Sequence, residues 1–190
     1  MRHAVLALTV VLAACKSGEP RAAAEYRTLL SRGRTMPLTR EHATKYVATW
    51  TAILDMTGDE AVRTEARYNL GCAALRGKNT AVAERRFAKA AASRKKSVSR
   101  TMSHYQLASL RVEQQNWREA LVHARAYLDG MPHNADWIAS AHYFVCLSLV
   151  RLDRPLEARR AYREAPDSNR TRESALAWQG LAYEIDQHWK

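Results

Sequence analysis

Residues 64–97 read TEARYNLGCAALRGKNTAVAERRFAKAAASRKKS, and this stretch decides the fold. Leu70 and Gly71 stand side by side, and Ala83, Phe87 and Ala90 follow at offsets of 13, 17 and 20 from Leu70, with Gly77 between the two groups. Two helices packed by narrow residues on one and a broad ring on the other account for that spacing. Glycine inside a helix is about 1 kcal/mol worse than alanine, so Gly71 needs a reason, and close approach of the partner helix supplies one.

The pattern returns twice. Leu107 and Ala108 lie 37 residues after Leu70 and Gly71, and Trp117, Ala120, Ala124 and Tyr127 follow them. Another 38 residues on, Val145 and Cys146 precede Ala158, Tyr162 and Ala165. Recurrence at a near-constant period marks a repeat array, in which each unit buries its apolar face against its neighbours. The unit resembles the tetratricopeptide repeat (TPR), a 34-residue helical hairpin carrying a large apolar residue, a Leu-Gly pair, a small residue early in the second helix, an aromatic and a further alanine. That resemblance implies an all-α fold, a right-handed TPR superhelix (α-solenoid) ending in a C-terminal capping helix.

Working outward, residues 59–170 hold three repeats, with helices expected over Asp59–Arg76 and Thr80–Ser93, Ser97–Gln114 and Trp117–Asp129, and Ala135–Arg151 and Pro155–Ala165. Gly77, Gly130 and Asp153 supply turns, Pro132 matches the terminal proline of the TPR unit, and Asn116 to Glu119 reads as a capping box. Upstream, residues 21–58 form a degenerate hairpin: a helix over Arg21–Arg32 stopped by Gly33 and Pro37, then one capped by Thr39 and running to Met56. Gly58 is expected to end that helix in left-handed geometry, and Asp59 to cap the next. Downstream, residues 171–190 carry Trp178, Leu181 and Ala182, the opening half of a repeat without its second helix, and read as the cap of the array.

Residues 1–14 stand apart. Arg2 precedes an apolar run of 11 residues, Ala4 to Ala14, too short to span a bilayer permanently and of the size of a secretory signal. Leu12-Ala13-Ala14-Cys15 then resembles the lipobox of bacterial lipoproteins, with residues 15–20 as the tether. The resemblance implies lipidation of Cys15 (diacylation, palmitate-type chains), anchoring in the bacterial cell envelope facing the periplasm, and, with Lys16 following, the outer membrane. Two or more acyl chains hold a protein stably, each buried methylene adding about 0.8 kcal/mol.

Net charge is +11, and loss of Arg2, the sole charged residue of 1–14, leaves +10. Such a chain associates with anionic surfaces. Export sets nucleic acid aside and favours phospholipid, lipopolysaccharide, cell-wall glycan or an acidic protein face. The run Arg94, Lys95, Lys96 and Arg100 and the arginines from Arg151 to Arg163 are read as solvated faces or as lipid contacts. Cys72 and Cys146 belong to first helices two repeats apart, beyond disulfide reach, and are read as small packing residues.

No Gly-rich phosphate loop, Cys-x-x-Cys, His-Glu-x-x-His or Gly-x-Ser-x-Gly occurs, so neither catalytic residues, a cofactor nor a metal is expected. His104, His123, His133, His142 and His188 are scattered singly and read as packing residues. In TPR proteins the first helix of each repeat lines the groove, and its fifth position here is Tyr68, Tyr105 and Tyr143; Tyr183 of the last helix occupies a ninth position. Two readings stand: a tyrosine-lined groove for a partner, with Arg76 and Arg151 available to an acidic ligand, or tyrosines that replace the packing aromatic usually one place earlier. The Lys/Asn carboxylate clamp of chaperone-binding TPR proteins is absent, since Cys72, Ser109 and Leu147 replace its asparagine. The resemblance extends to TPR lipoproteins such as secretin pilotins, the β-barrel-assembly lipoprotein and adaptors of peptidoglycan enzymes. The expected function is an adaptor for an envelope protein or peptide, without chemistry of its own; the alternative is a basic module on anionic lipid or glycan.

Overall fold

The computed structural model describes residues 20–130, 135–165 and 172–187. The expected signal, Cys15, the tether up to residue 19, Pro132, His133 and His188 lie outside the described residues. Among those described there are nine α-helices and no strand: α1 Pro20–Thr35, α2 Ala43–Met56, α3 Glu60–Arg76, α4 Thr80–Ala91, α5 Val98–Glu113, α6 Trp117–Leu128, α7 Ala135–Arg151, α8 Pro155–Glu164 and α9 Arg172–Gln187. None of the described helices is long and apolar enough to cross a membrane. The chain divides between Lys95 and Lys96 into two compact units.

In the first unit, Tyr46, Trp50 and Ile53 of α2 and Ala66 and Leu70 of α3 form a core, with Leu29 and Leu30 of α1 and Leu54 of α2 packed against it. Gly33 does not stop α1, which continues to Thr35. A β-carbon there would lie 2.9 Å from Ile53 Cδ1 and 3.3 Å from the Trp50 ring, so this glycine serves close approach. The stop comes from Pro37, which disfavours helical geometry at Met36. Thr39 caps a turn rather than α2: its hydroxyl accepts the His42 N–H at 3.3 Å, and the helix begins one residue later. Nor does Gly58 adopt left-handed geometry. The chain leaves α2 through an extended Thr57, whose Oγ1 accepts the Tyr26 hydroxyl at 3.0 Å and the Asp59 N–H at 3.1 Å. Asp59 caps α3 by accepting the Ala61 N–H at 2.8 Å, and that bond holds its carboxyl below the usual carboxylate range.

The α3–α4 hairpin buries Leu70, Gly71, Ala83, Phe87 and Ala90. A β-carbon on Gly71 would sit 2.6 Å from Phe87 Cε1 and 2.8 Å from Cδ1. Phe87 is fully enclosed, with 0% exposure, so its ring has no free space into which to withdraw.

In the second unit, α5–α6 and α7–α8 are the corresponding hairpins, and α9 packs on α7 and α8. Leu107, Ala108, Ala120, Ala124, Tyr127, Val145, Cys146 and Ala158 are buried, while Tyr162 is partly buried. Trp178, Leu181 and Ile185 of α9 complete this core.

The turns repeat as faithfully as the helices. Lys78, Gln115 and Asp153, spaced by 37 and 38 residues, have φ of 58°, 57° and 55°. Around each, the same two bonds close the helix end: Asn79 N–H to Ala74 and Lys78 N–H to Leu75; Asn116 to Arg111 and Gln115 to Val112; Arg154 to Leu149 and Asp153 to Val150. This is a Schellman closure in which the left-handed residue is not glycine. Asn79 and Asn116 then cap α4 and α6 through their side chains, whereas α8 has Pro155 in its first turn and no side-chain cap.

Two outcomes test this packing. Gly71→Ala gains helix propensity yet is expected to lower stability by about 1–3 kcal/mol from overpacking, with partial relief by Phe87→Leu in a double-mutant cycle. Additive effects in thermal melts would contradict the contact. Conversely, Gln115→Gly removes a left-handed side chain and is expected to raise stability by about 0.5–1 kcal/mol, against the usual sign for glycine.

Candidate functional site

The four tyrosines fall into different environments. Tyr68 on α3 is half-buried, its ring centroid 5.9 Å from that of Phe87. Tyr105 on α5 stacks on Trp137 at 4.9 Å and an 8° interplanar angle, and it also meets Tyr127 at 5.3 Å and Phe144 at 5.9 Å. Tyr143 on α7 packs edge-on against Trp178 at 5.6 Å, and burial raises its pKa. Only Tyr183 on α9 projects into water, 66% exposed.

Within the second unit these rings form a chain of contacts, Trp137 to Tyr105 to Phe144 to Tyr143 to Trp178 to Tyr162. Trp137 and Phe144 are not among the expected site residues. Their separation of seven, two turns of one helix, carries the signal that places both on the face of α7 that meets α5. Tyr105 and Tyr143 are half-buried, so each presents part of a ring that packing holds in place.

Both arginines expected to receive an acidic ligand are engaged within the chain. Arg151 forms a bidentate pair with Glu184 of α9, at 2.7 and 3.2 Å. Arg76 donates to the Leu38 carbonyl. The basic runs are likewise partly neutralised: Lys95 lies 3.5 Å from Asp59, Arg154 pairs with Glu157 at 2.7 Å, and Arg160 pairs with Glu164 at 2.9 Å. These pairs are exposed, so water and salt screen them.

Burial disfavours the thiolate at both described cysteines. Cys72 and Cys146 are both free, and burial raises the first and pushes the second up to about 12. The histidines are less scattered than they look in the sequence. The Nδ1 atoms of His104 and His123 lie 3.1 Å apart across α5 and α6. Burial, then His123 and Arg100, bring His104 down to about 4; burial and Arg111 lower His123. Both rings are therefore neutral near pH 7.

Comparison with protein-family models, with curated proteins and with solved structures returns no match. The surface described by these rings separates two substitutions. Tyr105→Ala removes a ring packed on three others and is expected to lower stability by about 2–4 kcal/mol, while Tyr183→Ala stays within about 0.5 kcal/mol of the parent. Equal melting temperatures for the two variants would overturn the assignment of Tyr105 to packing.

Proposed function

We propose that this protein is a lipid-anchored TPR-type adaptor of the bacterial envelope, holding a partner protein or peptide on the aromatic face of its first helices. The supporting observation is the threefold return, at spacings of 37 and 38 residues, of one hairpin with the same turn geometry and a half-buried tyrosine at the same place. Within the second unit the first helices α5 and α7 pack on one another, and the rings they share suit an extended ligand. Aromatic rings already fixed by packing lose little entropy when a partner covers them. Anchoring is read from Leu12-Ala13-Ala14-Cys15, and the proposed orientation is periplasmic, at the outer membrane. Assembly of an envelope complex, in the manner of a pilotin, fits such an adaptor. The net charge of +10 after loss of residues 1–14 favours a second reading, a basic module held against anionic lipid or glycan.

A photoreactive amino acid at position 183, in the full chain expressed in a bacterial host, tests both readings. The adaptor reading expects a crosslink to one envelope protein that persists in high salt. Crosslinks only to lipid or glycan, lost as salt rises, would favour the basic module and sink the adaptor. In parallel, Cys15→Ser is expected to abolish incorporation of a palmitate analogue and to release the protein from the membrane fraction. Retention of both would overturn the anchor.

A further inference from the structure

The His104–His123 pair is unexplained by partner binding. Residues 19 apart in sequence bring two imidazole nitrogens to 3.1 Å across a helix crossing, with ring centroids 5.3 Å apart and planes inclined by 40°. In the ordinary state one Nδ1 carries the proton and the other accepts it. The same separation is that of two neighbouring ligands on one metal. With metal–nitrogen bonds of about 2.0–2.1 Å, nitrogens 3.1 Å apart subtend roughly 95–102°, between the right angle of square-planar sites and the tetrahedral angle.

We propose that His104 and His123 form a two-imidazole site for a divalent first-row transition metal such as Zn²⁺ or Cu²⁺, with water filling the remaining positions. Among the described residues no group of three or more His, Cys, Asp and Glu side chains is placed to hold a metal, so the site is open rather than a closed structural cage. Solvent reaches His104 through a recess that Lys96, Arg100, Thr101, Ala126, Asp129 and Gly130 also line. Both imidazoles are already neutral near pH 7, so binding does not compete with their protonation. One ring must move its proton from Nδ1 to Nε2, which frees the second lone pair without net proton release from the pair. Arg100 near His104 and Arg111 near His123 oppose a dication, as does Lys96 on the recess wall. Asp129 in the recess favours it, while Glu119, near His123, is bound to Arg111. This balance sets a site of moderate affinity.

The test titrates the full chain with ZnCl₂ and follows the imidazole nitrogens by ¹⁵N NMR. Zn²⁺ is the better probe, because an unprocessed Met1-Arg2-His3 terminus would itself capture Cu²⁺. The expected result is that Nδ1 of His104 and of His123 shift together to metal-bound values, saturating at one equivalent, while Nε2 of both becomes protonated. His104→Gln and His123→Gln should each weaken this binding at least tenfold, and His142→Gln should leave it unchanged. Shifts that begin at other histidines, or undiminished affinity in both glutamine variants, would overturn the site. Should either variant fail to fold, the order of shifts in the parent protein decides alone.

Discussion

The ring of Phe87 lies so close over Gly71 that a β-carbon there would come within 2.6 Å, and each hairpin of the chain closes under the same limit on volume. A pair of helices gains its apolar and dispersion energy only if every large side chain meets a narrow one opposite. The three hairpins meet that condition in different ways. In the first, all the bulk is in Phe87 and all the space is at Gly71. In the second, Ala108 replaces the glycine and Ala124 replaces the ring, and Tyr127, one turn further along, carries the bulk at 0% exposure. The third keeps an aromatic at the first position, Tyr162, but leaves it partly buried against Trp178, 5.5 Å away on α9. α9 thus completes the face that α8 leaves partly open.

The turns impose a second constraint. A left-handed residue between two helices reverses the chain in the fewest residues, and glycine is the usual choice. Here Lys78, Gln115 and Asp153 accept the strain instead. They can do so because the two closing hydrogen bonds and, in the first two turns, an asparagine cap follow at once. Gly77, one residue early, is the cap residue of α3 at φ −79° and does not take the left-handed position.

The helices of the described residues and most of their ends were legible because they follow from local signals: asparagine or aspartate caps, prolines, and apolar spacing. The hairpin pattern around Leu70 was legible because its large and small residues are chemically distinct. Gly33, Thr39 and Gly58 depart from what their residue types suggest. Thr39 closes a local turn with His42 three residues on, whereas for Gly33 and Gly58 the deciding groups are distant in sequence, the Trp50 and Ile53 side chains for the first and the Tyr26 hydroxyl on Thr57 for the second. The histidine pair was illegible on the same grounds, since only the α5–α6 crossing brings residues 104 and 123 together. Trp137 and Phe144 lay within reach of the sequence, at a helical spacing of seven that falls outside the repeat positions.

For the tyrosines, packing and recognition are not opposed. A ring with no packing partner must be ordered by its ligand, and that ordering offsets part of the contact energy. A fully buried ring offers no contact at all. Tyr105 and Tyr143 lie between these limits, with one side fixed by Trp137 or Trp178 and the rest at the surface, which is the arrangement that presents area at the smallest loss of freedom. Tyr183, at 66% exposure, is the least enclosed of the four, and ordering it against a ligand would cost the most side-chain freedom. Ring area already held in place is therefore concentrated at the stacked pair Tyr105–Trp137 rather than at the most exposed tyrosine.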